Sequence, residues 1–189
     1  LVVDYGDGRT TFAVIPFVED SLSGSELLHR SGLDLLTVDF GGMGEGVCQI
    51  EEVGCDVSPC RARLCQTGDP DSPFWHYAQE SGQGTWEIAP LGASSSRVSN
   101  GTVDGWFWRG DDPPQPAASL DEIANRIGID LDDLSADDLA PRVATVGDDP
   151  IHDSEGERVG PVAGIAILAA VMVGGALILL RARSSRAGS

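Results

Sequence analysis

The sequence predicts a small mixed α+β domain, a sheet packed on one short helix with a disulfide-bonded loop, followed by a single transmembrane helix. Three observations carry this. Over residues 1–109, short apolar and β-branched runs alternate with glycine-rich turns. Four cysteines, Cys48, Cys55, Cys60 and Cys65, fall within 18 residues. The chain closes on an uncharged stretch, Val159 to Leu180, and then three arginines.

In order along the chain, "LVVDYGDGRTTFAVIPF" sets Gly6-Asp7-Gly8 between two β-branched runs, the pattern of a hairpin. "SGSELLHRSG" offers Ser23 or Ser25 as an N-cap, Leu27 and Leu28 as apolar contacts and Gly32 as the stop of a short helix. "LLTVDF" and "GVCQIEEV" read as two strands separated by "GGMGEG". Residues 54–73 read as a loop held by cysteines. "FWHYAQ" and "TWEIAP" flank "ESGQG" as a second hairpin, and "SNG" turns the chain into a last strand, "TVDGWFW". Asn100-Gly101-Thr102 also fits a glycosylation sequon, but Asn-Gly ahead of a strand is equally a tight-turn pattern.

Residues 110–158 change character. "GDDPPQPAAS" opens an acidic, Pro-rich linker in which Ser119 to Glu122 matches a capping box and predicts one short helix. The rest reads as a spacer, reaching roughly 40 Å end to end as a flexible chain. Beyond Pro161, residues 162–180 would span roughly 28 Å as a helix, about one hydrocarbon core. All 30 acidic residues and nine of the twelve basic ones precede Gly160, which leaves −21 on residues 1–158. The tail, residues 181–189, carries Arg181, Arg183 and Arg186 and no acid, so the positive-inside rule places it in the cytoplasm. The N-terminal bulk then lies outside, anchored to the bilayer by residues 159–180. Export of that bulk requires a secretory signal. The opening "LVVDYGDG" has no basic region, apolar run or Met, so the signal has been removed or the chain begins downstream of it.

The charge disfavours nucleic acid and anionic membrane surfaces as partners. Outside the cell, an even cysteine count predicts two disulfides, with three pairings open. Structural zinc sites favour short C-x2-C knuckles, and none occurs. His29, His76 and His152 have no G-x-S-x-G or H-E-x-x-H context. "DLDDLSADD" lacks the Gly and terminal Glu of a calcium loop, and "GDG" and "GGMGEG" are not phosphate loops. The expectation is a protein that is not an enzyme and has no metal site.

Of the eleven aromatic residues, seven lie between Phe74 and Trp108. Strand alternation puts Phe74, His76 and Ala78 on one face and Trp75, Tyr77 and Gln79 on the other; Trp106 and Trp108 share a face opposite Phe107. A single sheet on one helix buries one face fully. The second aromatic face therefore needs a cover: the cysteine loop, a ligand or another protein. Trp75, Tyr77 and Trp106 are the candidates for a recognition surface, with His76 packed against the core.

Hairpin, helix, strand pair and final hairpin is a β-grasp order. "VCQIEEVGC" with the later cysteines, and "FWHYAQESGQGTWEIAPLGASSSRVSNGTVDGWFW", resemble a bacterial extracytoplasmic domain family. It is similar to the C-terminal β-grasp-like domain of the cobalamin carriers transcobalamin and intrinsic factor. The matching pieces are the Ile-containing strand before the Cys loop, Trp75-His76-Tyr77, Trp86, Gly92 to Ser94, and Gly101, Gly105 and Trp106. The resemblance covers residues 1–109. It implies an exported or membrane-anchored protein with a ligand-related role beside vitamin or metal uptake systems, with a corrinoid as ligand and an uptake-transporter subunit as partner. In the carriers a large helical domain shares the ligand, and nothing here forms one, so a corrinoid would meet half a site. Two functions follow as expectations: a ligand-binding or accessory protein for cobalamin, vitamin or metal uptake, or a cell-surface adhesion or scaffold protein that uses its aromatic patch.

Overall fold

Positive φ angles at Gly6 and Gly8, 73° and 97°, fold the first two apolar runs onto each other as β1 (Val2–Asp4) and β2 (Thr10–Val14). The computed structural model describes residues 1–147, apart from 70, 111, 112, 115, 136 and 137. The membrane span and the basic tail expected from the sequence lie outside these residues. Among the described residues no helix is long and apolar enough to cross a membrane.

A two-residue strand, β3 (Leu22–Ser23), leads into α1 (Gly24–Arg30). Ser23 caps the helix reciprocally with Glu26, each side chain meeting the other's backbone N–H. Next come β4 (Leu35–Asp39), β5 (Glu45–Ile50) and β6 (Val53–Gly54), which form a three-stranded sheet of their own. The region expected to be an irregular cysteine loop contains a helix, α2 (Val57–Arg63), that carries the buried Cys60. Two disulfides, Cys48–Cys60 and Cys55–Cys65, with Cα atoms 5.4 and 5.7 Å apart, tie α2 to β5 and the residue after its C-cap to the segment following β6. Each closes a loop of ten to twelve residues, a constraint worth about 3 kcal/mol in the chain-entropy account.

The second hairpin is β7 (Phe74–Glu80) and β8 (Trp86–Ile88); after it β9 (Arg97–Val98) pairs with β3, and β10 (Asp104–Arg109) follows. Two further elements, α3 (Leu120–Ile127) and β11 (Arg142–Val146), complete the described chain. The principal sheet has the order β11-β2-β1-β10-β7-β8, with β1 parallel to β10 and every other neighbour antiparallel. The architecture is mixed α+β: three sheets, three helices and two disulfides among the described residues.

The principal sheet is buried on both faces. Tyr5, Leu27, Leu28, Trp75, Tyr77 and Trp106 fill the face under α1. Val2, Phe12, Ala78, Trp86, Phe107 and Ile123 fill the other, under α3. Where a spacer is expected from residue 110 onward, Leu120–Ile127 and Arg142–Val146 form elements packed on the sheet. Leu120, Ile123, Ala124 and Ile127 recur at helical spacing and turn one apolar stripe onto the sheet, with Ile123 fully buried. Burying one such side chain contributes roughly 1.5–3 kcal/mol, more than a short solvated helix gains by itself. Arg126 adds its guanidinium 5.0 Å over the Phe12 ring. β11 then lies along β2, and a hydroxyl chain, Tyr5 to Thr11 at 3.0 Å and Thr11 to Thr145 at 2.7 Å, links it to the core.

Candidate functional site

The register of β7 on β10 decides how the aromatic patch is used. Trp106 lies opposite Tyr77 and Trp108 opposite Trp75. Paired residues share a face, so four rings stand together on the α1 side. Tyr77 and Trp106 have centroids 5.1 Å apart, Trp75 and Trp108 5.4 Å, and Tyr5 meets Trp75 edge-on at 6.2 Å.

Trp75, Tyr77 and Trp106 are 8%, 7% and 5% exposed. The structure brings these three candidates together, but as interior residues and not as an open surface. Rings of this size contribute most when buried, and α1 with the three-stranded sheet provides the cover. His76, expected in the core, is instead half-buried: it stacks on Phe74 with centroids 3.9 Å apart and its Nε2 donates to the Arg109 carbonyl at 3.0 Å.

A buried polar network sits beneath the rings. The Tyr77 hydroxyl donates to Asp104 Oδ2 at 2.5 Å, and Gln79 Nε2 donates to Oδ1 at 3.2 Å. Asp104 is fully buried, and that burial raises its carboxyl pKa, with the Tyr77 and Gln79 hydrogen bonds pulling the other way. The Tyr77 phenol is also pushed up, first by burial and then by the Asp104 charge. Gly24 makes room for this network, since a Cβ there would lie 2.3 Å from the Tyr77 oxygen. Sequence reasoning missed Asp104 and Gln79. The signal lay in their alternation with Trp106 and Tyr77, but only the β7–β10 register shows that they meet.

Where the rings reach the surface they wall a cleft of about 210 Å³ between the β7–β8 hairpin and β5. Trp75, Tyr77 and Trp106 all line it, with Glu45, Val47 and Leu64 opposite and Ile88 at its mouth. Leu64 and Ile88 are 43% and 45% exposed. The Trp75 Nε1–H donates to the Val53 carbonyl at 3.3 Å, whereas the buried Trp106 Nε1–H has no partner among the described residues. Glu45 is paired with His29 at 2.8 Å. Among the described residues its lining is mostly apolar, with Glu45, His76 and the Tyr77 phenol, which Asp104 already engages, among its polar side chains. The sulfurs of Cys55, Cys60 and Cys65 lie within 4.8 Å of one another, but all three are oxidised in disulfides and offer no thiolate to a metal.

No protein-family model, curated protein or solved structure matches the chain. The cleft itself limits what a ligand can be. Sites that enclose a drug-sized molecule run to about 300–1,000 Å³, and a cavity of about 150 Å³ takes a benzene. At about 210 Å³ this cleft admits one ring-sized group. A corrin macrocycle does not fit inside it.

Proposed function

We propose that this chain is a membrane-anchored extracytoplasmic binding protein, an accessory to the uptake of a vitamin or metal complex, and not an enzyme. Its anchor is residues 159–180 and its cytoplasmic tail residues 181–189. The observation that carries the reading is the cleft: three aromatic residues of the core line it together, one wall belongs to the disulfide-stapled segment, and Leu64 and Ile88 of its lining are exposed. Holding a ligand on rigid rings lowers the entropy lost on binding. The strand order supports the β-grasp reading, since β1 runs parallel to the later β10 between the two hairpins β1–β2 and β7–β8. A corrinoid is the ligand class to test first, bound by its edge and completed by an uptake-transporter subunit.

The test is titration of the full chain in detergent with cobalamin and cobinamide, followed by tryptophan fluorescence. Saturable quenching that Leu64→Asp weakens at least tenfold, with the far-UV spectrum unchanged, supports the reading. Absence of quenching by either compound rejects the corrinoid. A second reading, a surface adhesion or scaffold protein, is favoured by one observation: Leu91, 72% exposed, lies in the chain between the lining residues Ala89 and Gly92. An exposed apolar residue there suits a protein partner, and the signature is a complex that Leu91→Asp abolishes with no small ligand present.

A further inference from the structure

We infer that the four cysteines form a thiol–disulfide relay, in which a dithiol that opens Cys55–Cys65 sets Cys65 free to attack Cys60 and release Cys48. This activity goes beyond the proposed binding function and needs no ligand in the cleft. Its first support is the placement of the sulfurs. The Sγ atoms of Cys55, Cys60 and Cys65 lie within 4.8 Å of one another, so one sulfur of the Cys48–Cys60 bond sits beside both sulfurs of the other bond. Exchange proceeds by attack of a thiolate on a disulfide sulfur, and this proximity makes the attack an intramolecular step. The second support is a gradient of burial. Cys48 and Cys60 are fully buried, Cys65 is 5% exposed and Cys55 is half-buried, so Cys55–Cys65 is the bond nearer solvent. The third is the backbone: Leu64 and Cys65 have φ of 52° and 68°, left-handed values that disfavour residues with a Cβ. Opening the outer bond lets Cys65 leave that conformation.

The steps balance with the dithiol as the one external reagent. A thiolate of the dithiol attacks Cys55 Sγ, a mixed disulfide forms, and Cys65 leaves as a thiolate. Cys65 then attacks Cys60 Sγ; the Cys60–Cys65 bond forms, the Cys48–Cys60 bond breaks, and Cys48 leaves. The second thiol of the dithiol displaces Cys55 from the mixed disulfide. The dithiol departs oxidised by two electrons, and Cys48 and Cys55 take up the two protons it gave up. Val38, Leu36, Phe40 and Trp108 pack around the cysteine cluster, so the inner bond is reached through Cys65 and not directly by a solvent thiol. The substrate class is a reduced cysteine pair, which newly exported chains carry in an oxidising compartment.

The experiment uses the full oxidised chain in detergent micelles. Limiting dithiothreitol is added, the reaction is stopped with acid, free thiols are capped with N-ethylmaleimide, and the remaining links are mapped by mass spectrometry. The expected intermediate carries a Cys60–Cys65 link with Cys48 and Cys55 capped, and exceeds any Cys48–Cys65 link by about tenfold or more. In urea, where the fold no longer holds the sulfurs together, that preference should vanish. Cys55→Ser frees Cys65 without any reductant. In this variant, with the far-UV spectrum unchanged, capping should find Cys48 as well as Cys65, because Cys65 exchanges into the inner bond. An intermediate that keeps Cys48–Cys60 with Cys55 and Cys65 capped overturns the relay. So does a folded Cys55→Ser chain that caps Cys65 alone. If Cys55→Ser does not fold, the wild-type titration decides by itself.

Discussion

Asp104 is held in a way that makes its protonation a measure of the fold. It lies fully buried between the Tyr77 hydroxyl and the Gln79 amide, and burial raises its pKa above the unfolded value of about 3.9. A carboxyl shifted upward binds more protons folded than unfolded. Its contribution to stability is therefore full below about pH 4 and is lost as pH rises through the raised folded value. In urea titrations, the stability of wild type relative to Asp104→Asn should fall as pH is raised from about 4 to neutrality; parallel profiles would show that the carboxyl is not shifted. Tyr77→Phe removes the donor to Oδ2 and should lose about 1–3 kcal/mol by the same measurement. At this scale the sequence was half legible. Alternation alone puts Trp75, Tyr77 and Gln79 on one strand face and Asp104 with Trp106 on another. That the two faces are one, and that the rings are interior, depends on a long-range register that local pattern does not contain.

α3 shows the opposite failure, a signal present and outweighed. The S-x-x-E box at Ser119 and Glu122 forms as its spacing implies. The apolar spacing of Leu120, Ile123, Ala124 and Ile127 was also readable, but the surrounding acids and prolines gave the segment the composition of a solvated linker. β11 was hidden in the same way: "RVATV" alternates between Pro141 and Gly147 as an edge strand does. If α3 is a structural lid on the sheet, Ile123→Ala should destabilise by about 2–5 kcal/mol and Ser119→Ala by about 0.5–2 kcal/mol in chemical denaturation. A tethered helix that covers nothing would show both near zero. The cysteines were legible as two disulfides because count and compartment decide that much, whereas the pairing depends on α2, which the sequence did not reveal. Non-reducing peptide mapping should recover only Cys48–Cys60 and Cys55–Cys65 links. Replacing Cys48 and Cys60 together by Ser should cost about 2–5 kcal/mol.

At the scale of the whole molecule, the aromatic patch is explained by a sheet covered on both faces from within its own chain. α1 and the three-stranded sheet close one side and α3 closes the other, and the small cleft at the β7–β8 hairpin is one opening onto the first face. A bound molecule is therefore not required to hide the second aromatic face, and the binding proposal rests on the cleft alone. The proposed topology is checked on intact cells, where added protease should remove residues 1–158 and spare a tag at Ser189; an accessible tag would reverse the orientation. The most direct measurement of the two-sided core compares a chain ending at residue 147 with one ending at residue 109, by thermal unfolding and binding of a hydrophobic dye. The longer chain should unfold in one cooperative transition and bind little dye. The shorter one bares Phe12, Trp86 and Phe107 and should melt broadly and bind the dye strongly. Equal melting temperatures and equally weak dye binding would contradict the account.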